Sequence, residues 1–316
     1  ADIAAGLRYS YDFNNDGIWE LGNGTYGGSI TSASQAVPGS FSVDGPGSLT
    51  VKARILDKDG GSNEYTTTIT VNNVSPTATV PLTASVNERT TYNFAAASPF
   101  DPSPADTTAG FRYSFDINGD GLYNDGLGDG ISYASSIVSS SQTITATTLD
   151  DGPASRSFKL RIFDKDGGFT EYTQVLTVLN VAPTATVPTT GSVAEHTTFT
   201  INVTGATDPS TADTSAGFRY AYDLNGDGLF NDGAGNGTYA GSGTSTSAIV
   251  PVTTLDDGFP GASKTIKTRV IDKDGGFNEY NTVISITNVN PTAATPPVAT
   301  AIVNEHTAFA LNVVGG

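Results

Sequence analysis

The chain has 316 residues, enough for two or three ordinary domains, and sets 32 acidic side chains against 15 basic ones for a net charge of -17. So one-sided a surface repels nucleic acid and anionic membranes, and suits divalent cations or basic partners. Cysteine and methionine are absent, which removes disulfides, thiolate metal sites and cysteine nucleophiles, and leaves packing or bound calcium to supply the rigidity disulfides give elsewhere.

No apolar run approaches the roughly 18 residues that cross a bilayer, so no membrane span is expected. No signal-peptide pattern opens the sequence at Ala1. Gly, Thr, Ser, Asn and Asp are abundant, and long helix-period stretches are missing. That composition predicts an all-β chain with many turns.

Self-similarity organises the whole sequence. Val71-Asn72-Asn73-Val74-Ser75-Pro76 recurs as Val178-Leu179-Asn180-Val181-Ala182-Pro183 and as Ile286-Thr287-Asn288-Val289-Asn290-Pro291. The prolines give the period, 183 − 76 = 107 and 291 − 183 = 108. Repeats of this length are whole domains in tandem rather than solenoid units. The expected boundaries are 1–75 for a copy lacking its first strands, 76–182 and 183–290 for complete copies, and 291–316 for the first strands of a further one. Either the chain continues covalently, or the tail of one subunit completes the sheet of the next by strand addition.

Within 76–182, alternation and turn residues predict strands at Thr77–Pro81, Ala84–Val86 and Thr91–Ala95, then a Pro- and Asp-rich loop at Phe100–Ala109. Phe111–Phe115 alternates aromatics, Ile131–Tyr133 reads as a short edge strand, and Gln142–Thr148 alternates again. Ser157–Phe163 and Glu171–Leu179 flank the tight connection Asp164-Lys165-Asp166-Gly167-Gly168, a hairpin signal. About seven strands in about 107 residues predict an immunoglobulin-like sandwich.

Each aromatic strand runs into an acidic loop. The copies are Asp12-Phe13-Asn14-Asn15-Asp16-Gly17, Asp116-Ile117-Asn118-Gly119-Asp120-Gly121 and Asp223-Leu224-Asn225-Gly226-Asp227-Gly228. Oxygen-bearing side chains at alternate positions, followed by a glycine for a sharp bend, can wrap a hard cation. The loop is not an EF-hand, because the twelfth position holds Asn23, Leu127 or Ala234 instead of Glu; the closing acid comes sooner, as Glu20, Asp125 or Asp232. The pattern predicts bound calcium, against the plainer reading of a solvated acidic turn.

A second acidic group occurs once per copy: Asp57, Asp59 and Glu64; Asp164, Asp166 and Glu171; Asp272, Asp274 and Glu279. Its hairpin is expected at the linker end of the sandwich, where it would meet Glu88, Glu195 or Glu305 of the following copy and hold calcium between domains. The competing reading is turn chemistry, with Lys58, Lys165 and Lys273 neutralising the acids. Asp101, Asp106, Asp150, Asp151, Asp208, Asp213, Asp256 and Asp257 could supply further oxygens, while most of them read as solvated, Asx-type turn formers. Arg8, Arg112 and Arg219 read as ion-pair partners beside the acidic loops.

These features together resemble the tandem PKD-type repeats of secreted bacterial surface proteins, an immunoglobulin-like family. The likeness rests on the aromatic strand entering Asp12–Gly17 and its copies, the late strand ending in Asp57-Lys58-Asp59-Gly60-Gly61 and its copies, and the Asn-Val-x-Pro linker. One departure is that the usual tryptophan of the aromatic strand is Tyr or Phe here; the single Trp is Trp19. The resemblance implies tandem sandwiches on the extracellular side, with cadherin-like arrays as the analogy for calcium between domains.

Catalysis is not expected. The two histidines, His196 and His306, share a repeat position that Arg89 fills in the other copy, and no second histidine accompanies either as a zinc ligand. Asn23, Asn73, Asn202 and Asn236 head glycosylation acceptor patterns, and Lys159, Lys264 and Lys267 are the lysines available to an isopeptide cross-link. The resulting expectation is an extracellular, calcium-stiffened shaft of a cell-surface fibre or stalk, whose partners are neighbouring repeats or further copies. The alternative is an adhesin or carbohydrate-binding array presenting Tyr26, Tyr133 and Tyr239 to a glycan or cell-surface ligand.

Overall fold

The computed structural model describes residues 2–125, 128–233, 235–256, 262–295, 302–310 and 314–315. Among them the α-helical pieces are brief, α1 (Asp2–Ala5), α2 (Pro104–Ala109) and α3 (Thr211–Ala216), and the rest of the regular structure is almost all strand. The chain forms two compact units, one of 1–86, 90–149 and 154–178, the other of 87–89, 150–153 and 179–316.

The first unit opens with an antiparallel sheet of β1 (Arg8–Asp12), β2 (Gly47–Leu56) and β3 (Ser62–Val71), with β2 in the middle. No further sheet is assigned to this copy among the described residues. Tyr11, Phe13, Val37, Val51, Ala53 and Ile69 line a groove of about 310 Å³ on it.

The second copy contributes β4 (Thr77–Thr79), β5 (Thr83–Asn87), β6 (Tyr92–Ala95), β7 (Ala97–Phe100), β8 (Arg112–Asp116), β9 (Ser141–Ile144), β10 (Ala154–Phe163) and β11 (Phe169–Leu179). One layer is a four-stranded sheet in the order β5, β11, β10, β8; the ladders β4–β7 and β6–β9 form the other. Period-two patterning explains the layering, since Gln174, Leu176 and Val178 on β11 are buried while Val175, Thr177 and Leu179 between them are exposed. Phe94 and Ile144 from the second layer pack with Phe115, Phe158, Leu160, Ile162, Leu176 and Val178, none more than 1% exposed. Each such side chain stabilises the fold by about 1.5–3 kcal/mol relative to exposure. Phe94 meets Phe115 edge-on at 6.0 Å.

The third copy repeats the plan in the second unit with β12 (Thr184–Thr186), β13 (Thr190–Ala194), β14 (Phe199–Asn202), β15 (Thr204–Thr207), β16 (Arg219–Asp223), β17 (Ser247–Val250), β18 (Ser263–Ile271) and β19 (Phe277–Thr287). Its main sheet is ordered β13, β19, β18, β16, with β13 parallel to β19 and every other pairing in that sheet antiparallel. Ile201 and Val250 of the smaller ladders pack with Tyr222, Ile266, Val270, Ile284 and Ile286. The protein is thus an all-β tandem of immunoglobulin-like sandwiches, as its patterning predicts.

Two local expectations are corrected. Ile131–Tyr133 is not a strand; the edge of β8 is instead bridged through Tyr113 and Ile137. The loop Phe100–Ala109 contains α2, because Ser103 accepts a hydrogen bond from the Asp106 amide at 3.2 Å and Pro104 fits the first helical position.

Candidate metal centres

The acidic loops are rooted in the sheets. Asp12, Asp116 and Asp223 end β1, β8 and β16 and are 0%, 2% and 1% exposed. In the second copy Asp116 accepts the amides of Gly119 and Gly121 at 2.7 and 3.1 Å, and Asn118 accepts that of Asp120 at 2.8 Å. Asp120 accepts the amide of Leu122 at 2.7 Å, and Asp125 those of Ile117 and Asn118 at 2.8 and 2.9 Å. The third copy reproduces this with Asp223, Asn225, Asp227 and Asp232. Main-chain amides therefore fix where each carboxylate sits. Gly17, Gly121 and Gly228 have φ of +89°, +84° and +86°, the left-handed bend the motif requires.

The first loop differs at its closing acid and at Asn15, which stands where the copies have Gly119 and Gly226 donating to Asp116 and Asp223 Oδ1. Its closing acid, Glu20, arrives one residue earlier and takes the Phe13 amide at 2.6 Å. Carboxylate oxygens of Asp12, Asp16 and Glu20 then lie within 4.8 Å of one another, and Oδ1 of Asp12 is buried with no hydrogen-bond partner. In the later copies the amide nitrogen of Asn118 or Asn225 donates to the closing acid, at 3.0 Å to Asp125 and 3.2 Å to Asp232.

The hairpin group divides. Asp164 and Asp272 are fully buried and use Oδ1 to accept two amides of their own turn, Asp166 and Gly168 or Asp274 and Gly276, all at 2.9 Å. Asp57 does the same with Asp59 and Gly61. Glu64, Glu171 and Glu279 do not join these aspartates. They sit on the neighbouring strand opposite Arg54, Arg161 and Arg269, with the guanidiniums donating to them and Lys52, Lys159 and Lys267 alongside. Cross-strand register explains the separation, because each Glu lies beyond the turn on the strand that leads away from it.

The hairpin also lies at the other end of the sandwich from the one expected. β11 is eleven residues long, about 36 Å at roughly 3.3 Å per residue, so its start and the outgoing linker are far apart. The hairpin of each complete copy looks back to the linker before it. Asn73 Nδ2 donates to Asp164 Oδ2 at 2.8 Å, and Asn180 Nδ2 to Asp272 Oδ2 at 3.0 Å. Glu88, 1% exposed, sits with Asp151 and Asp213 rather than with a hairpin, accepting the amides of Gly152 and Val181 at 2.8 Å each, and burial pushes its carboxyl up. Glu195 accepts the Val289 amide at 2.7 Å, and Glu305 is exposed.

The aspartates expected to be solvated include two that are fully buried. Asp106 and Asp213 are both 0% exposed. Asp106 has oxygens within 4.8 Å of Asp44 and Asp166, and Asp213 of Glu88 and Asp151. Lys165 stands 3.0 Å from Asp44 and 3.5 Å from Asp106, and also pairs with Asp166. Lys273 stands 2.6 Å from Asp151, 2.5 Å from Asp274 and 3.6 Å from Asp213. Burial pushes Asp208 and Asp213 up to about 6, with the neighbouring aspartates adding to the shift. Asp257 lies outside the described residues.

The remaining candidates are structural. Arg89 pairs with Asp150, and His196 Nδ1 lies 2.7 Å from the equivalent Asp256; Arg89, His196 and His306 all have φ of 57–58°. Arg and His therefore interchange at one left-handed turn position, where Arg89 and His196 each face an aspartate. Arg8, Arg112 and Arg219 stack over Tyr26, Tyr133 and Tyr239 at 5.2–5.5 Å instead of pairing with the loops. The hydroxyls of those tyrosines donate to the carbonyls of 5 and 6, 109 and 110, and 216 and 217.

No known family's sequence pattern matches the chain, and no curated protein matches it. Solved structures similar to it include the I-band fragment I67-I69 from titin, at 11% identity and a TM-score of 0.34 over 90% of this chain and 89% of that one. Drosophila N-cadherin EC1-4 is similar at 13% identity and 0.28, over 94% and 71%. Three N-terminal domains of the bacteriophage RB49 Highly Immunogenic Outer Capsid protein are similar at 12% and 0.29, over 90% and 89%. Likeness at this level carries no functional argument, which rests on the residues themselves.

Proposed function

We propose that the chain is a structural, non-catalytic repeat protein of the extracellular surface, part of the shaft of a fibre or stalk, stiffened by calcium in its acidic loops. The ligands are Asp12, Asn14, Asp16 and Glu20, with Asp116, Asn118, Asp120 and Asp125, and Asp223, Asn225, Asp227 and Asp232 as their copies. The observation that carries this reading is the first loop, where three carboxylates converge within 4.8 Å and one oxygen of the buried Asp12 accepts no hydrogen bond. Hard oxygen donors without nitrogen or sulfur suit calcium, and one ion with bonds of about 2.3–2.6 Å spans such a separation. Cation binding would offset the repulsion that otherwise splays clustered carboxylates. Neighbouring repeats or further copies are the natural partners of such a shaft.

Calorimetry on the chain with calcium and with EDTA tests the reading. Calcium is expected to raise the unfolding midpoint, and superimposable traces would reject calcium stiffening. The glycan-binding alternative has less support, because Tyr26, Tyr133 and Tyr239 are half-buried and committed to arginine stacking and helix-end carbonyls.

A further inference from the structure

The loops do not use every fully buried acid. Asp213 is 0% exposed, and neither of its carboxylate oxygens has a hydrogen-bond partner. Asp208 spends Oδ1 on the Ser210 amide at 2.8 Å, while its Oδ2 is buried without a partner. The other unit holds the same arrangement. Asp106 is 0% exposed with both oxygens unpartnered, and Asp101 accepts the Ser103 amide on Oδ1 at 2.8 Å and leaves Oδ2 buried and unpartnered. The same three unpartnered oxygens therefore occur in both compact units.

The lysine beside each set does not satisfy them. Lys273 and Lys165 lie 3.6 and 3.5 Å from Asp213 and Asp106, beyond good hydrogen-bond length, while their closer contacts go to Asp151 and Asp274 or to Asp44 and Asp166. Each ammonium thus supplies charge but leaves the buried carboxylate without a donor, and an ionised carboxylate held that way is costly. Glu88 and Asp151 bring further oxygens within 4.8 Å of Asp213, and Asp44 and Asp166 do so for Asp106.

We propose that Asp208 and Asp213, with Asp151 and Glu88, form a second kind of cation site, and that Asp101 and Asp106, with Asp44 and Asp166, form its counterpart. The donors are all oxygen, which selects a hard ion over zinc. Asp213 and Asp106 offer both oxygens, so bidentate binding by a larger, flexibly coordinated ion fits better than the octahedral shell of magnesium; calcium is the occupant. The site shares no residue with the acidic loops and does not depend on them.

The test is calcium titration by calorimetry on the whole chain, comparing wild type with Asp106→Asn/Asp213→Asn and with Asp116→Asn/Asp223→Asn. The first variant is expected to bind two fewer ions than wild type, while the second keeps those two. If the first variant binds as many ions as wild type, this proposal fails and the loop reading stands. If only the first variant loses binding, the loop reading fails in those copies and this proposal stands. Lys165→Met/Lys273→Met, which keeps every aspartate, guards against a variant that does not fold. Removing the competing positive charge is expected to tighten calcium binding at these sites about tenfold or more, and unchanged or weaker binding would overturn the assignment.

Discussion

Asn73 of the linker donates its side-chain amide to Asp164 Oδ2 at 2.8 Å, and the contact is possible because position 168 has no side chain. A Cβ on Gly168 would lie 2.4 Å from Asn73 Nδ2 and 2.4 Å from Asp164 Oδ2; Gly276 stands in the same relation to Asn180 and Asp272. The second glycine of Asp-x-Asp-Gly-Gly and the asparagine of Asn-Val-x-Pro are therefore two halves of one contact. Gly168→Ala and Gly276→Ala are each expected to cost about 1–3 kcal/mol, measured by denaturant unfolding. In an Asn73→Ala background Gly168→Ala should lose part of its cost, and full additivity would show that the two residues are not coupled.

Trp19 gives the first acidic loop an optical handle, since it stands between Asp16 and Glu20 and no other tryptophan is present. Terbium substitutes for calcium at oxygen sites, so indole excitation is expected to sensitise terbium emission that excess calcium quenches. Trp19→Phe should abolish most of that signal without changing the number of ions bound. Asp12→Asn should weaken it by about tenfold through loss of one ligand charge. Emission that survives Trp19→Phe unchanged would place the responding ion elsewhere.

The parts of this protein written locally were readable from sequence, and the parts written by packing were not. Alternating Phe158, Leu160 and Ile162 announce β10, and Asp116 to Gly121 announces its bend without any knowledge of the partner strands. Asp106 and Asp213 look like turn residues because Asp-Pro-Ser is turn composition; what surrounds them, Lys165 and Asp44 for one and Lys273, Asp151 and Glu88 for the other, lies far away in sequence. A signal was present in Ser103-Pro104-Ala105-Asp106 and Ser210-Thr211-Ala212-Asp213, where a capping serine three residues before an acid marks a helix start. The end of the sandwich that carries each hairpin is not legible in the sequence for a different reason. Strand adjacency in sequence says nothing of which end a turn occupies until strand length is counted.

Glu279 makes stability depend on pH in a direction that can be worked out. The Arg269 guanidinium, 2.9 Å away, and then Lys267, at 3.3 Å, hold its carboxyl below the ordinary range against the opposing pull of partial burial. A carboxylate whose folded pKa is depressed contributes stability that is present above its unfolded value and lost as pH falls through the folded value. Glu279→Gln is therefore expected to cost up to about 1 kcal/mol at pH 7, discounted for an exposed rim. The gap from wild type should close as pH falls below the ordinary glutamate range. Arg269→Lys should cost more than Glu279→Gln at pH 7, because Arg269 also stacks on Phe230 and Phe277 at 4.1 and 3.9 Å. A difference between Glu279→Gln and wild type that persists unchanged at pH 3 would remove the ion pair as its cause.

Tyr133 and Tyr239 separate a structural shaft from a sugar-binding array. Each hydroxyl donates to two carbonyls at the end of a short helix, at 3.0 and 3.1 Å for Tyr133 and 3.1 and 3.0 Å for Tyr239, while an arginine covers the ring. Tyr133→Phe and Tyr239→Phe remove the hydroxyl and keep the stack, so each should lower stability by about 0.5–1.5 kcal/mol, read from the unfolding midpoint. Tyr133→Ala and Tyr239→Ala should cost more, because they also strip the ring from Arg112 or Arg219. A sugar platform behaves in the opposite way: its aromatics are solvent-facing, and truncating them abolishes glycan binding with little effect on stability. Wild-type binding on a glycan array that disappears in the alanine variants while their unfolding midpoints stay put would transfer these tyrosines from the scaffold to a ligand site.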